Sequence, residues 1–240
     1  MEKMAETKLR VIKPDISFAY LCKDYGDSFY SANYKDVTLA QTLLMFKYSL
    51  SHIYPHGRLV SMEISNPFQE FMRVRTMAYR KFREDISGNM VHLDVDIIAY
   101  RELPAQFWNQ DFDIALVTGQ HRYSLMPYSE GMIFSKDTPG AHKFFEDYSN
   151  FGKHVPEGMV EGMNSDWWIG QLALHMAYLK SAASKEVKFL ILDDKEFCFT
   201  PDKPVATSSY FVHFKGPRKS FMKQYLCGLL GTDYINLGLK

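Results

Sequence analysis

Asp94 and Asp96 stand one residue apart in the run Val91-His92-Leu93-Asp94-Val95-Asp96-Ile97-Ile98, and the apolar residues on both sides predict a buried extended segment. Alternate side chains of an extended chain point to one face. Two carboxylates on one buried face repel and raise each other's pKa unless a cation sits between them. A hard divalent ion, Mg²⁺ or Mn²⁺, takes oxygen ligands and commonly binds through one or two carboxylates together with substrate phosphates. Acids at this spacing also occur often as solvated turn residues, so it is the apolar frame that favours a metal. A calcium loop of the EF-hand kind is disfavoured, because Ile97-Ile98 follows the pair where that loop needs further oxygen ligands and a glycine.

A second segment adds donors. Phe211-Val212-His213-Phe214-Lys215-Gly216-Pro217-Arg218-Lys219 runs from a strand pattern into a Gly-Pro turn. His213 can supply an imidazole ligand, Gly216 lets backbone approach an anion closely, and Arg218 and Lys219 present positive charge to phosphates. Taken alone, such a segment is more often a basic surface turn with a buried histidine. Paired with the two acids, it reads as the other half of a metal and phosphate site.

These two segments, in this order, resemble the nucleotide-sugar glycosyltransferases of GT-A fold. Leu93-Asp94-Val95-Asp96 is similar to their DxD motif, and the stretch from His213 through Gly216 to Lys219 is similar to the His-Gly-Lys motif of the glycogenin-like and lipopolysaccharide galactosyltransferase-like family. The resemblance implies that Asp94, Asp96 and His213 hold Mn²⁺ or Mg²⁺. It also implies that Tyr20, Arg75, Asp94, Gly216 and Lys219 contact a nucleoside-diphosphate sugar, a UDP-sugar being favoured. Three departures are visible. Ser129 and Glu130 replace the first two residues of the family's Asn-Ala-Gly turn, Gly170 stands where an Asp is expected before Gln171, and Ser220-Phe221 replaces the Pro-Trp after the lysine.

The implied reaction moves the sugar to an acceptor hydroxyl on a glycan, lipid-linked glycan, protein or small molecule. Retention of configuration is favoured, with Gln171 near the reacting carbon. Inversion would need a general base, for which Asp166 or Glu130 are the candidates. Two other classes stay open, a nucleotide-sugar-binding protein without turnover and a metal-dependent phosphate-ester hydrolase.

The elements that must position these residues alternate along the chain. Strand patterns at Ile16 to Cys22, Arg58 to Ile64, Asn89 to Ala99, Phe112 to Thr118, Ile133 to Phe134, Val187 to Leu192 and Ser209 to Phe214 are interleaved with helical periods. The helices are predicted at Asp36 to His52, Phe68 to Glu84, Ala141 to Phe151 and Trp167 to Leu179, with Gly152 to Asn164 a surface loop. This predicts an α/β fold, a single GT-A-like, Rossmann-type domain over residues 1–240 with a mostly parallel central sheet flanked by helices. Residues 1–14 read as a polar leader and 223–240 as a C-terminal tail. Trp108, Trp167 and Trp168 are candidates for an acceptor cleft or, more commonly for Trp, for core packing.

Composition limits the partners. Of 240 residues 46% are hydrophobic and 23% charged, which excludes collagen-like, coiled-coil and wholly disordered chains. Lys plus Arg and Asp plus Glu both number 28, so no global basic field gathers nucleic acid, and none is expected as a partner. Three widely spaced cysteines fit no disulfide framework, and no run has the length of a signal peptide or membrane span, so a cytoplasmic location is expected.

Overall fold

The computed structural model describes residues 16–22, 37–63, 68–119, 126–156 and 165–231, without the side chains at 68, 69 and 165–167. It is a mixed α/β fold. The strands are β1 (Ile16–Cys22), β2 (Arg58–Glu63), β3 (Asn89–Leu93), β4 (Ile97–Ala99), β5 (Ile114–Thr118), β6 (Tyr128–Ser135), β7 (Phe189–Leu192), β8 (Cys198–Phe199) and β9 (Phe211–His213). The helices are α1 (Leu39–Ile53), α2 (Phe68–Asp85), α3 (Pro139–His154), α4 (Ser165–Ser184), α5 (Asp194–Phe197) and α6 (Met222–Leu230), with 3-10 turns at Ala105–Asn109 and Gly216–Phe221.

The main sheet has the order β2-β1-β3-β6-β5-β7. Only β6 runs against its neighbours, and the other ladders are parallel. Alternation along β1 sorts its side chains to opposite faces: Ala19 and Leu21 meet α2, α3 and α4, while Phe18 and Tyr20 meet α1. Phe46 and Leu50 of α1 are buried there, each contributing about 1.5–3 kcal/mol by removal from water. A capping box starts α1, Thr38 Oγ1 accepting from the Gln41 N–H at 3.1 Å and Gln41 Oε1 accepting from the Thr38 N–H at 3.1 Å. Under α2 and α3 lies His92 of β3, its ring 4.5 Å from Tyr79 and 4.6 Å from Phe145. Neither of its nitrogens has a hydrogen-bond partner among the described residues.

Four expectations need correction. The extended run from Asn89 to Ala99 is two strands in two sheets, β3 in the main sheet and β4 in the order β4-β9-β8, with Asp94 to Asp96 as the turn between them. The run looks continuous in sequence because both strands are buried. The strand expected at Ile133 and Phe134 begins earlier, at Tyr128. Residues 223–230 of the expected tail form most of α6, which buries Met222, Tyr225 and Leu226 against Val212 and Phe214. Gly152, expected in a loop, lies within α3, and 157–164 fall outside the described residues. No described helix is long and apolar enough to cross a membrane.

Candidate functional site

The acids share a site because of a turn rather than strand alternation. After β3 the chain turns at Asp94, with the Ile97 N–H donating to the Asp94 carbonyl at 3.3 Å, and re-enters as β4. β4 pairs antiparallel with β9 so that Ile97 faces His213, and the Phe214 N–H donates to the Asp96 carbonyl at 2.9 Å. This pairing brings a histidine from far along the chain beside the acids. His213 Nε2 is 3.1 Å from Asp96 Oδ1 and 3.5 Å from Asp94 Oδ2. One ligand atom from each of Asp94, Asp96 and His213 lies within 4.8 Å of the others. Two carboxylates and an imidazole are a donor set suited to Mn²⁺ or Mg²⁺.

Gly131 forms one wall of the cluster. A Cβ there would lie 2.4 Å from His213 Cε1 and 2.8 Å from Asp94 Oδ2, so only glycine leaves room for both side chains. The neighbouring cations are fixed. Lys219 Nζ is 2.6 Å from Asp96 Oδ2, and Arg75 Nη2, on α2, is 2.7 Å from Asp94 Oδ1. Burial pushes Asp96 up, but Lys219 and His213 together outweigh it and hold the carboxyl well below the usual range. Gly216, at φ +57, opens the turn carrying Lys219, and among the described residues, its two chain neighbours aside, no atom lies within 4 Å of a Cβ built on it. That leaves open space at a backbone conformation glycine adopts readily.

A bulge in β6 shapes the wall behind these cations. Leu116 of β5 pairs with Ile133, yet Thr118 pairs with Tyr128, so β6 carries extra residues where it passes the site. There Glu130 turns toward the helices while Met132 joins the opposite core. Glu130 Oε1 accepts from the Tyr148 hydroxyl at 2.5 Å and lies 3.3 Å from Arg75 Nε. Arg75 Nη2 also donates to the Glu130 carbonyl, and Arg75 Nε to the Tyr79 hydroxyl, both at 3.1 Å. Desolvation raises Glu130 despite Arg75 beside it; desolvation opposes the charge of Arg75, which Asp94 and Glu130 more than restore.

The structure thus brings Asp94, Asp96, His213, Lys219, Arg75 and Glu130 together. The Gln171 amide is engaged at the same wall, accepting from the Glu130 N–H at 3.1 Å and donating to the Tyr128 carbonyl. The Asp166 side chain is outside the described residues. Tyr20 pairs with Leu93 across β1 and β3, one position from Asp94, but its ring is buried against Phe46 at 5.0 Å. Trp108 is a core residue, 6% exposed. Sequence reasoning missed Tyr79 and Tyr148, which look like ordinary helix core positions, and the bulge, which leaves no local signal beyond Gly131.

No protein-family model matches the chain, and no curated protein matches it. Solved structures do. A glycosyltransferase involved in the glycosylation of the major capsid of PBCV-1 matches at a TM-score of 0.55 and 12% identity, over 88% of this chain and 100% of that one. The apo-form glycosyltransferase GlyE in Streptococcus pneumoniae TIGR4 matches at 0.56 and 12% identity over 93% of this chain, which spans 62% of GlyE. The similarity is one of fold.

Proposed function

We propose that this chain is a metal-dependent glycosyltransferase that moves a sugar from a nucleoside-diphosphate sugar, a UDP-sugar in the favoured case, to an acceptor hydroxyl. The observation that carries the reading is the convergence of Asp94, Asp96 and His213 beside Lys219 and Gly216, in a fold similar to solved glycosyltransferases. In the reaction the bond from the sugar's anomeric carbon to the diphosphate oxygen breaks, its electron pair leaving with the diphosphate. The acceptor oxygen forms the new bond, and its proton passes to the departing phosphate or to solvent.

Asp94, Asp96 and His213 would hold Mn²⁺ or Mg²⁺, which supplies positive charge where the leaving diphosphate becomes more negative. Lys219 adds a fixed cation on the same side, and Gly216 leaves backbone accessible to a phosphate. Around the cluster, Asp94, Asp96 and Glu130 face the fixed cations Arg75 and Lys219, an excess of one negative charge when the His213 imidazole is counted as neutral, the form that ligates a metal. That balance favours a divalent cation, and the loaded site then favours an anionic donor. Retention is the favoured stereochemistry, since Glu130 is sealed between Tyr148 and Arg75 and unsuited to act as an open base.

The test is a transfer assay over UDP-, GDP- and CDP-sugars with Mn²⁺, comparing wild type with Asp96→Ala. Loss of stabilisation for the leaving group should slow the variant by ~10²-fold or more. Equal rates would defeat the assignment. The engagement of Gln171 with backbone favours one second reading, binding of the nucleotide sugar without turnover. It predicts a metal-dependent rise in melting temperature with UDP and no product from any donor.

A further inference from the structure

Gly170, near the start of α4, faces the Glu130 carboxylate. A Cβ at 170 would lie 2.0 Å from Glu130 Oε1 and 2.5 Å from both Cδ and Oε2. Carboxylates at the ends of flexible side chains usually move aside, but this one is held. Glu130 is 5% exposed, its carboxylate is bound by Tyr148 and Arg75, and its backbone is bound on both sides by Gln171 and Arg75. Glycine inside a helix costs about 1 kcal/mol relative to alanine, so a helical glycine at this contact has a packing reason.

We propose that positions 130 and 170 act as one unit, in which Gly170 makes room for Glu130 and Glu130 is a positioning residue for the cation site. Arg75 carries one positive charge between two carboxylates, Glu130 and Asp94. With Glu130 in place, that charge is shared and the guanidinium is fixed, so Asp94 keeps charge for a cation and Asp94 Oδ2 stays turned toward His213. Without Glu130, Arg75 neutralises Asp94 more fully and loses the contact that orients it. The inference rests on the metal reading above and assigns Glu130 an indirect role.

Mn²⁺ titration of the full chain by calorimetry tests it, with the melting temperature of each metal-free variant as the measure of folding. Glu130→Gln keeps the size and hydrogen bonding of the side chain but not its charge, and should weaken Mn²⁺ binding by roughly 10- to 100-fold, the usual effect of losing a partner that orients a metal ligand. A space-filling role predicts no change. Gly170→Ala should weaken binding by a similar factor, and should add nothing in a Glu130→Ala background. Wild-type affinity in folded Glu130→Gln overturns the inference, as does an undiminished Gly170→Ala effect in the Glu130→Ala background. If Gly170→Ala does not fold, Glu130→Gln decides alone. Failure of wild type itself to bind Mn²⁺ is a different result, and overturns the metal reading and this inference together.

Discussion

Lys219 Nζ lies 2.6 Å from Asp96 Oδ2, with the lysine side chain 7% and the aspartate 13% exposed. The lysine is thus in direct contact with a carboxylate that the proposed cation also needs. It offsets the repulsion between Asp94 and Asp96, and in the proposed reading it would also stabilise a phosphate beside a bound cation. The two roles pull in opposite directions on metal affinity.

Lys219→Met separates them. Removing a cation that competes for Asp96 should leave Mn²⁺ affinity unchanged or tighter, while kcat falls by ~10²-fold. Calorimetric titration beside single-turnover kinetics reads both quantities. Weaker Mn²⁺ binding with normal kcat would make Lys219 a support of the metal ligands instead of a phosphate contact.

Gly131→Ala inserts a Cβ against His213 and Asp94. The ligands must part, and Mn²⁺ affinity should fall by about 10- to 100-fold while the β3–β6 ladder holds. Titration together with far-UV circular dichroism checks this. A folded variant with wild-type affinity would remove Gly131 from the site.

His92 gives the fold its own pH dependence. Desolvation, reinforced by Arg83 and Arg75, holds the ring well below its ordinary 6.5, so it is buried neutral. Above pH 6.5 neither state takes a proton there. As pH falls through 6.5 only the unfolded chain becomes protonated, and stability is lost by up to about 1.4 kcal/mol per pH unit until the native ring titrates. Urea unfolding between pH 8 and 5 should show a smaller decline for His92→Phe than for wild type. Parallel profiles for the two proteins would show that His92 does not carry the dependence.

The alternating elements were readable because each buries one face on a shared sheet, and that leaves a period of 2 or 3.6 in the apolar residues. The meeting of two acids and a histidine was readable too, since these residue types beside a glycine-lysine turn have few chemical uses in combination. The turn at Asp94 was not, because Val91 and Leu93 are buried in one core and Ile98 in another, and sequence records burial without recording which core. Glu130 reads as a candidate base because its residue type suits one. What removes it from solvent is Tyr148, Arg75 and a bulge, contacts between residues remote in sequence. Gly170 left a trace as a glycine within a helical pattern, as Gly131 did for the bulge.

The β4–β9 pairing has a consequence for how the protein is made. Asp94 and Asp96 leave the ribosome before His213 and Lys219, and until β9 docks Asp96 lacks both of these partners while Asp94 has Arg75 alone. A nascent chain therefore lacks the full Asp94, Asp96 and His213 cluster, which is completed only as the small sheet closes. A cation bound as proposed would meet all three of its side chains only in the closed fold.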